Sequence, residues 1–258
     1  MDAREEITVV ILTLNEARHI RACIRAARQV AKNIIISDSF SEDGTPDLAR
    51  EEGASVLERT FDNYANQRNS ALDVVTTPWV FFVDADERVT PELAAEVLRV
   101  IRDEDRAGWW VPRYNYIVNR RIRGGGWYPD YQLRLLRTDR ARYDPAREVH
   151  EVVRLQGEAG YLREHLIHYN YESWAQFHMK QRRYAMLEAR VLRKQGVRPR
   201  PYTYLTMPLR EFWRRFVTLR GYRDGYYGAK LAALLAWYTF VTYWTLGHTK
   251  EALTPARS

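Results

Sequence analysis

Residues 79–87, Trp79-Val80-Phe81-Phe82-Val83-Asp84-Ala85-Asp86-Glu87, set the architecture of this 258-residue chain. Five consecutive apolar residues, β-branched and aromatic, read as a strand buried on both faces, as in a parallel sheet covered by helices. The run ends abruptly in two carboxylates one residue apart. At the carboxyl end of a rigid strand, opening into the crevice of a sheet, such a pair suits a hard cation and its polyanionic ligand. The same acids also suit a plain turn ahead of a helix, because Thr90-Pro91 has the pattern of an N-cap followed by a first-turn proline.

Upstream, strand-like and helix-like patterns alternate. Ile7 to Leu14 is a β-branched run, followed by a helical stretch with apolar residues at Ile20, Cys23, Ile24 and Ala27. Asn33 to Ser37 is a second strand, and Thr45-Pro46 reads as an N-cap with first-turn proline opening a helix that stops at Gly53. Ala54 to Leu57 gives a third strand and Tyr64 to Val75 a helix, while Leu93, Val97, Val100 and Ile101 form one apolar helix face. This order predicts an α/β fold of right-handed βαβ units, a mainly parallel sheet flanked by helices, with its ligand site at the strands' carboxyl ends. Beyond Gly108, Trp109 to Ile117, Tyr131 to Arg137 and Leu162 to Tyr171 are strand-like. Between the first two, Asn119 to Gly126 is basic and glycine-rich, a candidate mobile loop. Ser173 to Gln195 is a long helix, and Pro199-Arg200-Pro201 is the clearest break, which divides the chain into an expected catalytic domain over 1–198 and a helical appendage over 199–258.

Composition narrows the class. Hydrophobic residues at 46% and charged residues at 28% describe a globular protein rather than a disordered one. The single Cys23 excludes an intrachain disulfide, and its spacing with Ile20, Ile24 and Ala27 makes it a helix-core thiol. Met1 to Glu6 is polar and acidic, without the basic start and apolar stretch of a signal peptide, so folding in the cytoplasm is expected. The net charge of +7 is unevenly placed: from Lys180 onward there are 16 Lys and Arg against 4 Asp and Glu, which leaves 24 against 29 for residues 1–179. A segregated basic segment faces a polyanion, either nucleic acid or an anionic lipid surface.

Polar clusters fall where strands end or on the helix between them: Thr13-Leu14-Asn15-Glu16, Ser37 to Thr45, Asn66-Gln67-Arg68-Asn69 and the acidic pair. Converging on one sheet edge, they offer what a nucleotide pocket needs: donors and acceptors for a base, a carboxylate for ribose and a cation for phosphate. The ordered set Thr13-Leu14-Asn15-Glu16, Asp38-Ser39-Phe40-Ser41-Glu42-Asp43-Gly44-Thr45, Gln67-Arg68-Asn69 and Asp84-Ala85-Asp86-Glu87 resembles the motifs of family 2 glycosyltransferases with the GT-A fold. Through Val149-His150-Glu151 and Gly221-Tyr222-Arg223-Asp224-Gly225 the chain is similar to the subgroup of lipopolysaccharide-core β-1,4-glucosyltransferases.

The resemblance implies roles. Asp38 would recognise the base, with Thr13, Asn15 and Glu16 around the nucleotide; Asp84 would bind ribose or a metal-bound water, and Asp86 would hold Mg²⁺ or Mn²⁺ against the diphosphate. Arg68 either helps to hold those phosphates or is an exposed helix arginine. Asp130, within Trp127-Tyr128-Pro129-Asp130-Tyr131, stands where the family places its catalytic carboxylate, although Pro129 replaces the acid often found before it. Glu151 is the second candidate base and His150 a further metal ligand, or a histidine hydrogen-bonded within the fold. Arg134 and Arg137 alternate with leucines in a strand and reach either a phosphate or solvent along an edge.

Glu211 to Arg223 reads as a basic amphipathic helix, followed by the apolar, aromatic run Leu231 to Leu246. That run is short for the roughly 20 residues of a membrane span, and its aromatic residues suit the headgroup level. The expectation is a helix lying in the membrane interface, rather than one spanning the bilayer or packed on the catalytic domain. Altogether the resemblance implies an inverting, metal-dependent transfer of a hexose, with UDP-glucose the expected donor, to a membrane-associated glycolipid such as lipopolysaccharide core or a polyprenyl-linked sugar, at the inner face of the cell membrane. A nucleotidyltransferase is the alternative enzyme, but the chain has Asn15-Glu16-Ala17-Arg18 where a glycine-rich triphosphate loop would follow the first strand. A single-strand nucleic-acid module is the alternative of another class; the uncharged run from Leu231 favours lipid, and no nucleic-acid partner is expected.

Overall fold

A computed structural model describes residues 2–103, 105–145 and 153–248. Two compact units make up the chain, residues 1–114 with 130–169 and residues 115–129 with 170–258.

In the first unit, β1 (Ile7–Thr13), β2 (Asn33–Asp38), β3 (Ser55–Glu58) and β4 (Trp79–Asp84) are parallel in the order β3-β2-β1-β4. They alternate with α1 (Ala17–Ala27), α2 (Thr45–Glu51) and α3 (Tyr64–Val74). The chain continues through β5 (Glu87–Arg88), α4 (Pro91–Val100), β6 (Arg106–Ile117), β7 (Arg120–Arg121), β8 (Tyr131–Arg137), β9 (Ala141–Tyr143), β10 (Val153–Leu155), β11 (Glu158–Tyr161) and β12 (Leu166–Tyr171). The sheet extends from β4 as β8-β6-β12-β5, and β8 runs antiparallel to both β4 and β6. Arg134 and Arg137 thus lie on an interior strand, and the expected solvated edge is corrected.

The unbroken apolar run of β4 has a direct cause. Trp79, Phe81 and Val83 enter one core cluster with Ile20, Cys23, Ile24 and Ala27 of α1 and Leu93 and Val97 of α4. Val80 and Phe82 enter a second, with Ala65 and Leu72 of α3. Each large side chain so buried contributes about 1.5–3 kcal/mol, so neither face of β4 tolerates a polar residue. Thr90 caps α4 as its sequence predicts, its Oγ1 accepting from Leu93 N at 3.1 Å. Thr45 does not cap α2. Gly44, in the left-handed region at φ 84°, is the N-cap and Thr45 the first helical residue, with its hydroxyl donating to Asp43 Oδ1 at 2.5 Å and accepting from Glu16 N.

The second unit holds α5 (Trp174–Lys194), α6 (Thr203–Trp213) and α7 (Tyr226–His248). Phe177 of α5 and Leu231 and Leu235 of α7 share a core cluster with Ile117, Ile122 and Tyr171. The expected boundary at 198/199 therefore falls inside this unit rather than at its start. The expected helix over Glu211 to Arg223 is also revised. α6 begins at Thr203, passes through a π-helical turn over Arg214–Thr218, and gives way at Arg220, which is left-handed at φ 57°. The chain must reverse there for Gly228 to reach Gly221, where an added Cβ on Gly228 would stand 1.9 Å from the Gly221 carbonyl oxygen. The glycine-rich stretch expected to be mobile is anchored instead. Asp224 accepts from Arg123 N at 3.0 Å and Gly124 N at 2.9 Å, and Gly125 N donates to Leu219 O at 2.7 Å. Among the described residues no helix is long and apolar enough to cross a membrane.

Candidate active site

β4 delivers Asp84 at its carboxyl end, and Ala85, buried in the core, anchors the acidic turn at its middle. Glu87 is completely buried; its Oε2 accepts from Asp84 N and its Oε1 from Arg113 Nη1, each at 2.9 Å. A carboxylate in such a place needs paired charge. Arg113 of β6 and Arg134 of β8 supply it, and Arg134 donates through both Nη atoms to Asp84. Arg68 is buried rather than an exposed helix arginine. Its guanidinium lies over the rings of Phe82 and Tyr143 at 5.2 and 5.4 Å, with Nη2 3.9 Å from Asp84 Oδ1. Burial raises the Asp84 pKa, but the guanidiniums of Arg134 and Arg68, with Arg113 nearby, outweigh it and hold the carboxyl well below its ordinary range. Asp84 is accordingly an anion at neutral pH.

Asp130 immediately precedes β8 and faces the same arginine. Arg113 donates to Asp130 Oδ2 through Nε at 3.0 Å and Nη2 at 2.8 Å, while Gln132 Nε2 donates to Oδ1 at 2.8 Å. One guanidinium thus bridges the buried Glu87 and the carboxylate expected to act as base.

Asp86 points elsewhere. Its Oδ2 is 3.4 Å from His168 Nε2, and its carbonyl accepts from Tyr169 N at 2.9 Å. His168 lies opposite Glu87 in the antiparallel β12–β5 pair. The carboxylate suits Mg²⁺ or Mn²⁺, and an imidazole beside it favours Mn²⁺, the softer of the two. Adjacent ligands of an octahedral ion with bonds of about 2.1 Å stand roughly 3 Å apart, close to the separation found. Among the described residues no three such donors gather, so this corner would leave most of a coordination sphere to phosphate and water. His150 and Glu151 lie outside the described residues.

The ends of β1 and β2 are laced together. Asp38 is buried: Thr13 Oγ1 donates to its Oδ1 and Ser41 N to its Oδ2, both at 2.7 Å, and the Ser41 hydroxyl also donates to Oδ1. Asn15 N donates to Ser41 Oγ at 2.7 Å, and Glu42 N to Asn15 Oδ1 at 2.9 Å. Glu16 N donates to Thr45 Oγ1 at 2.8 Å. Asn15 and Phe40 are left-handed at φ 57° and 59°, a conformation that costs a non-glycine residue about 1–3 kcal/mol and survives where neighbours over-determine it. Phe40 is left 56% exposed beside these polar groups. Arg113 and His168 escaped sequence reasoning, their one signal a polar residue in an otherwise strand-like run, and Glu87 was read as part of the acidic motif without a role of its own.

The chain matches the model described as glycosyl transferase family 2 over residues 8–169. It belongs to glycosyl transferase family 2. This transferase is 30% identical over 248 residues to the lipopolysaccharide core biosynthesis glycosyltransferase LpsC of Rhizobium meliloti, covering 92% of this chain and 90% of that one. An uncharacterized glycosyltransferase of Rickettsia felis is 32% identical over 93 residues, which are 36% of this chain and 33% of that protein's length. Among solved structures, the mannosyltransferase PcManGT of Pyrobaculum calidifontis, in complex with GDP-Man and Mn²⁺, aligns with a TM-score of 0.51 at 15% identity, covering 94% of this chain and 87% of that one. That likeness is one of fold, and the mainly parallel sheet flanked by helices is the GT-A arrangement. The family decides for glycosyl transfer from a nucleotide sugar over nucleotidyl transfer.

Proposed function

We propose that this transferase moves glucose from UDP-glucose, with inversion, to a membrane-associated glycolipid of the lipopolysaccharide-core or polyprenyl-linked type. The observation that carries the reading is the turn after β4, where Asp84 faces arginines and Asp86 faces His168. Asp86 and His168 would hold a divalent cation, and the chemistry it would supply there is positive charge against that developing on the departing diphosphate. Asp84 accepts from ribose hydroxyls with its remaining lone pairs, and Arg68 adds positive charge beside it. Asp38, with Thr13, Asn15 and Glu16, shapes the base pocket by fixing the β1 and β2 ends. Asp130 takes the proton of the acceptor hydroxyl as that oxygen bonds to the anomeric carbon and the bond to the diphosphate breaks. The overall similarity to LpsC supports the acceptor class.

The second unit serves the acceptor at the cytoplasmic face of the membrane. Trp237, Phe240 and Trp244 of α7 form a ladder with centroids 5.3 and 5.7 Å apart, and both tryptophans are exposed. Aromatic rings so arranged sit at the headgroup level of a bilayer. The decisive assay measures nucleoside diphosphate release from UDP-, GDP- and ADP-sugars with Mn²⁺ or Mg²⁺ and a lipopolysaccharide-core acceptor. Acceptor-dependent UDP release from UDP-glucose is expected; release only from another nucleotide sugar would reject the donor assignment.

A further inference from the structure

α5 turns one face to the core and a very different one outward. Phe177, Gln181, Ala185 and Ala189 recur every four residues and are buried. The outward face carries two rows at the same spacing, Arg182-Met186-Arg190 and Met179-Arg183-Leu187, all six exposed and Met179 67% so. Arginine and apolar side chains alternate along both rows. Together they line an open groove of about 720 Å³, closed on the α7 side by Tyr238.

A water-facing helix of this charge normally carries acidic partners at neighbouring turns. Here no carboxylate lines the groove, and among the described residues none of Arg182, Arg183 and Arg190 enters an ion pair. Burial of the apolar members in a protein partner would strand three guanidiniums, whereas a lipid headgroup region accepts both kinds of group at once. Nucleic acid fits less well. Strand binding uses open aromatic faces, but the only aromatic ring on the groove besides that of His178 is Tyr238, whose hydroxyl is tied to His178 Nδ1 at 2.8 Å.

We propose that this α5 groove is a binding site for anionic phospholipid headgroups, with phosphates on Arg182, Arg183 and Arg190 and acyl carbons against Met179, Met186 and Leu187. It deepens the membrane reading given above and adds a site outside the α7 aromatic ladder. The test is flotation of the full chain with vesicles of phosphatidylglycerol in phosphatidylcholine, against phosphatidylcholine alone. Wild type is expected to float with the anionic vesicles, less so at high salt. The double variant Arg182→Gln/Arg190→Gln is expected to partition on the order of 30-fold more weakly, since each cation near such a surface adds roughly a factor of five. Both positions are exposed, so circular dichroism and nucleotide release with a soluble acceptor are expected to stay at wild-type levels. Unchanged flotation of the double variant, with loss only in Trp237→Ser/Trp244→Ser, would overturn the groove and leave the α7 reading standing. No flotation of wild type would overturn both. A loss of single-stranded DNA binding without any change in flotation would overturn the lipid assignment in favour of nucleic acid, and in all of these cases UDP-glucose turnover with a soluble acceptor reads the proposed activity separately.

Discussion

Asp86 and His168 are the residues whose removal discriminates most sharply. Asp86→Ala is expected to lower metal-stimulated transfer by about 100-fold or more, the scale of losing a group that stabilises leaving-group charge. His168→Ala is expected to raise the Mn²⁺ concentration needed for half-maximal activity by about 10–100-fold. Circular dichroism is to match wild type in both; undiminished turnover of Asp86→Ala, or an unchanged half-maximal Mn²⁺ concentration in His168→Ala, rejects that residue as a ligand. Arg113 has a different signature, because it pairs the fully buried Glu87 as well as Asp130. Removing one partner of a buried pair costs about 3–5 kcal/mol, whereas an exposed pair such as Arg50–Glu58 contributes about 0–1 kcal/mol. Arg113→Met is therefore expected to lower the thermal midpoint steeply and Arg50→Met hardly at all, and equal midpoints for the two would remove the basis of the bridge. The lowered pKa of Asp84 also carries a sign. A depressed carboxylate contributes stability that is complete above its unfolded pKa of about 3.9 and lost as pH falls through the folded value. Thermal midpoints of Asp84→Asn are expected to vary less with pH than wild type below about pH 4 and in parallel with it above; a difference in slope confined to neutral pH would contradict the pairing.

At the scale of elements, the reversal between α6 and α7 depends on glycine for space. Gly228→Ala inside a helix would ordinarily gain about 1 kcal/mol from propensity. Here the new Cβ meets the Gly221 carbonyl oxygen at 1.9 Å, a backbone atom that cannot rotate away. The expected outcome is a lower thermal midpoint, and a raised one would show that the two segments do not touch. Asp224 does related work by receiving the Arg123 and Gly124 amides, which gives the Gly221 to Gly225 segment a structural task. The strands were largely legible before the fold was known. β1, β2 and β4 alternate their residues between two core clusters, so their near-continuous apolar runs announce burial on both faces. The Glu211 helix was misplaced because amphipathic periodicity does not register a reversal at a left-handed residue such as Arg220.

For the whole molecule, the proline-rich break suggested a detachable tail, yet α7 completes a core that includes Phe177 and Tyr171. A chain ending at residue 198 would expose that cluster, and each large apolar side chain uncovered forfeits about 1.5–3 kcal/mol. Such a fragment is expected to aggregate or bind a hydrophobic dye; a soluble, monodisperse fragment with no dye binding would restore 199–258 as a separable appendage. The uneven charge, in contrast, was fully visible in the linear chain, since it needs no partner to exist. Local pattern therefore settled the α/β class, the order of the first four strands along the chain and the acidic turn after Val83, because burial on both faces of a strand leaves its mark in consecutive residues. The pairing of Asp86 with His168 and the bridge from Glu87 through Arg113 to Asp130 came from the folded chain alone. Those groups meet through cross-strand register among β5, β6, β8 and β12, and register is set by long-range pairing that no neighbouring residues encode.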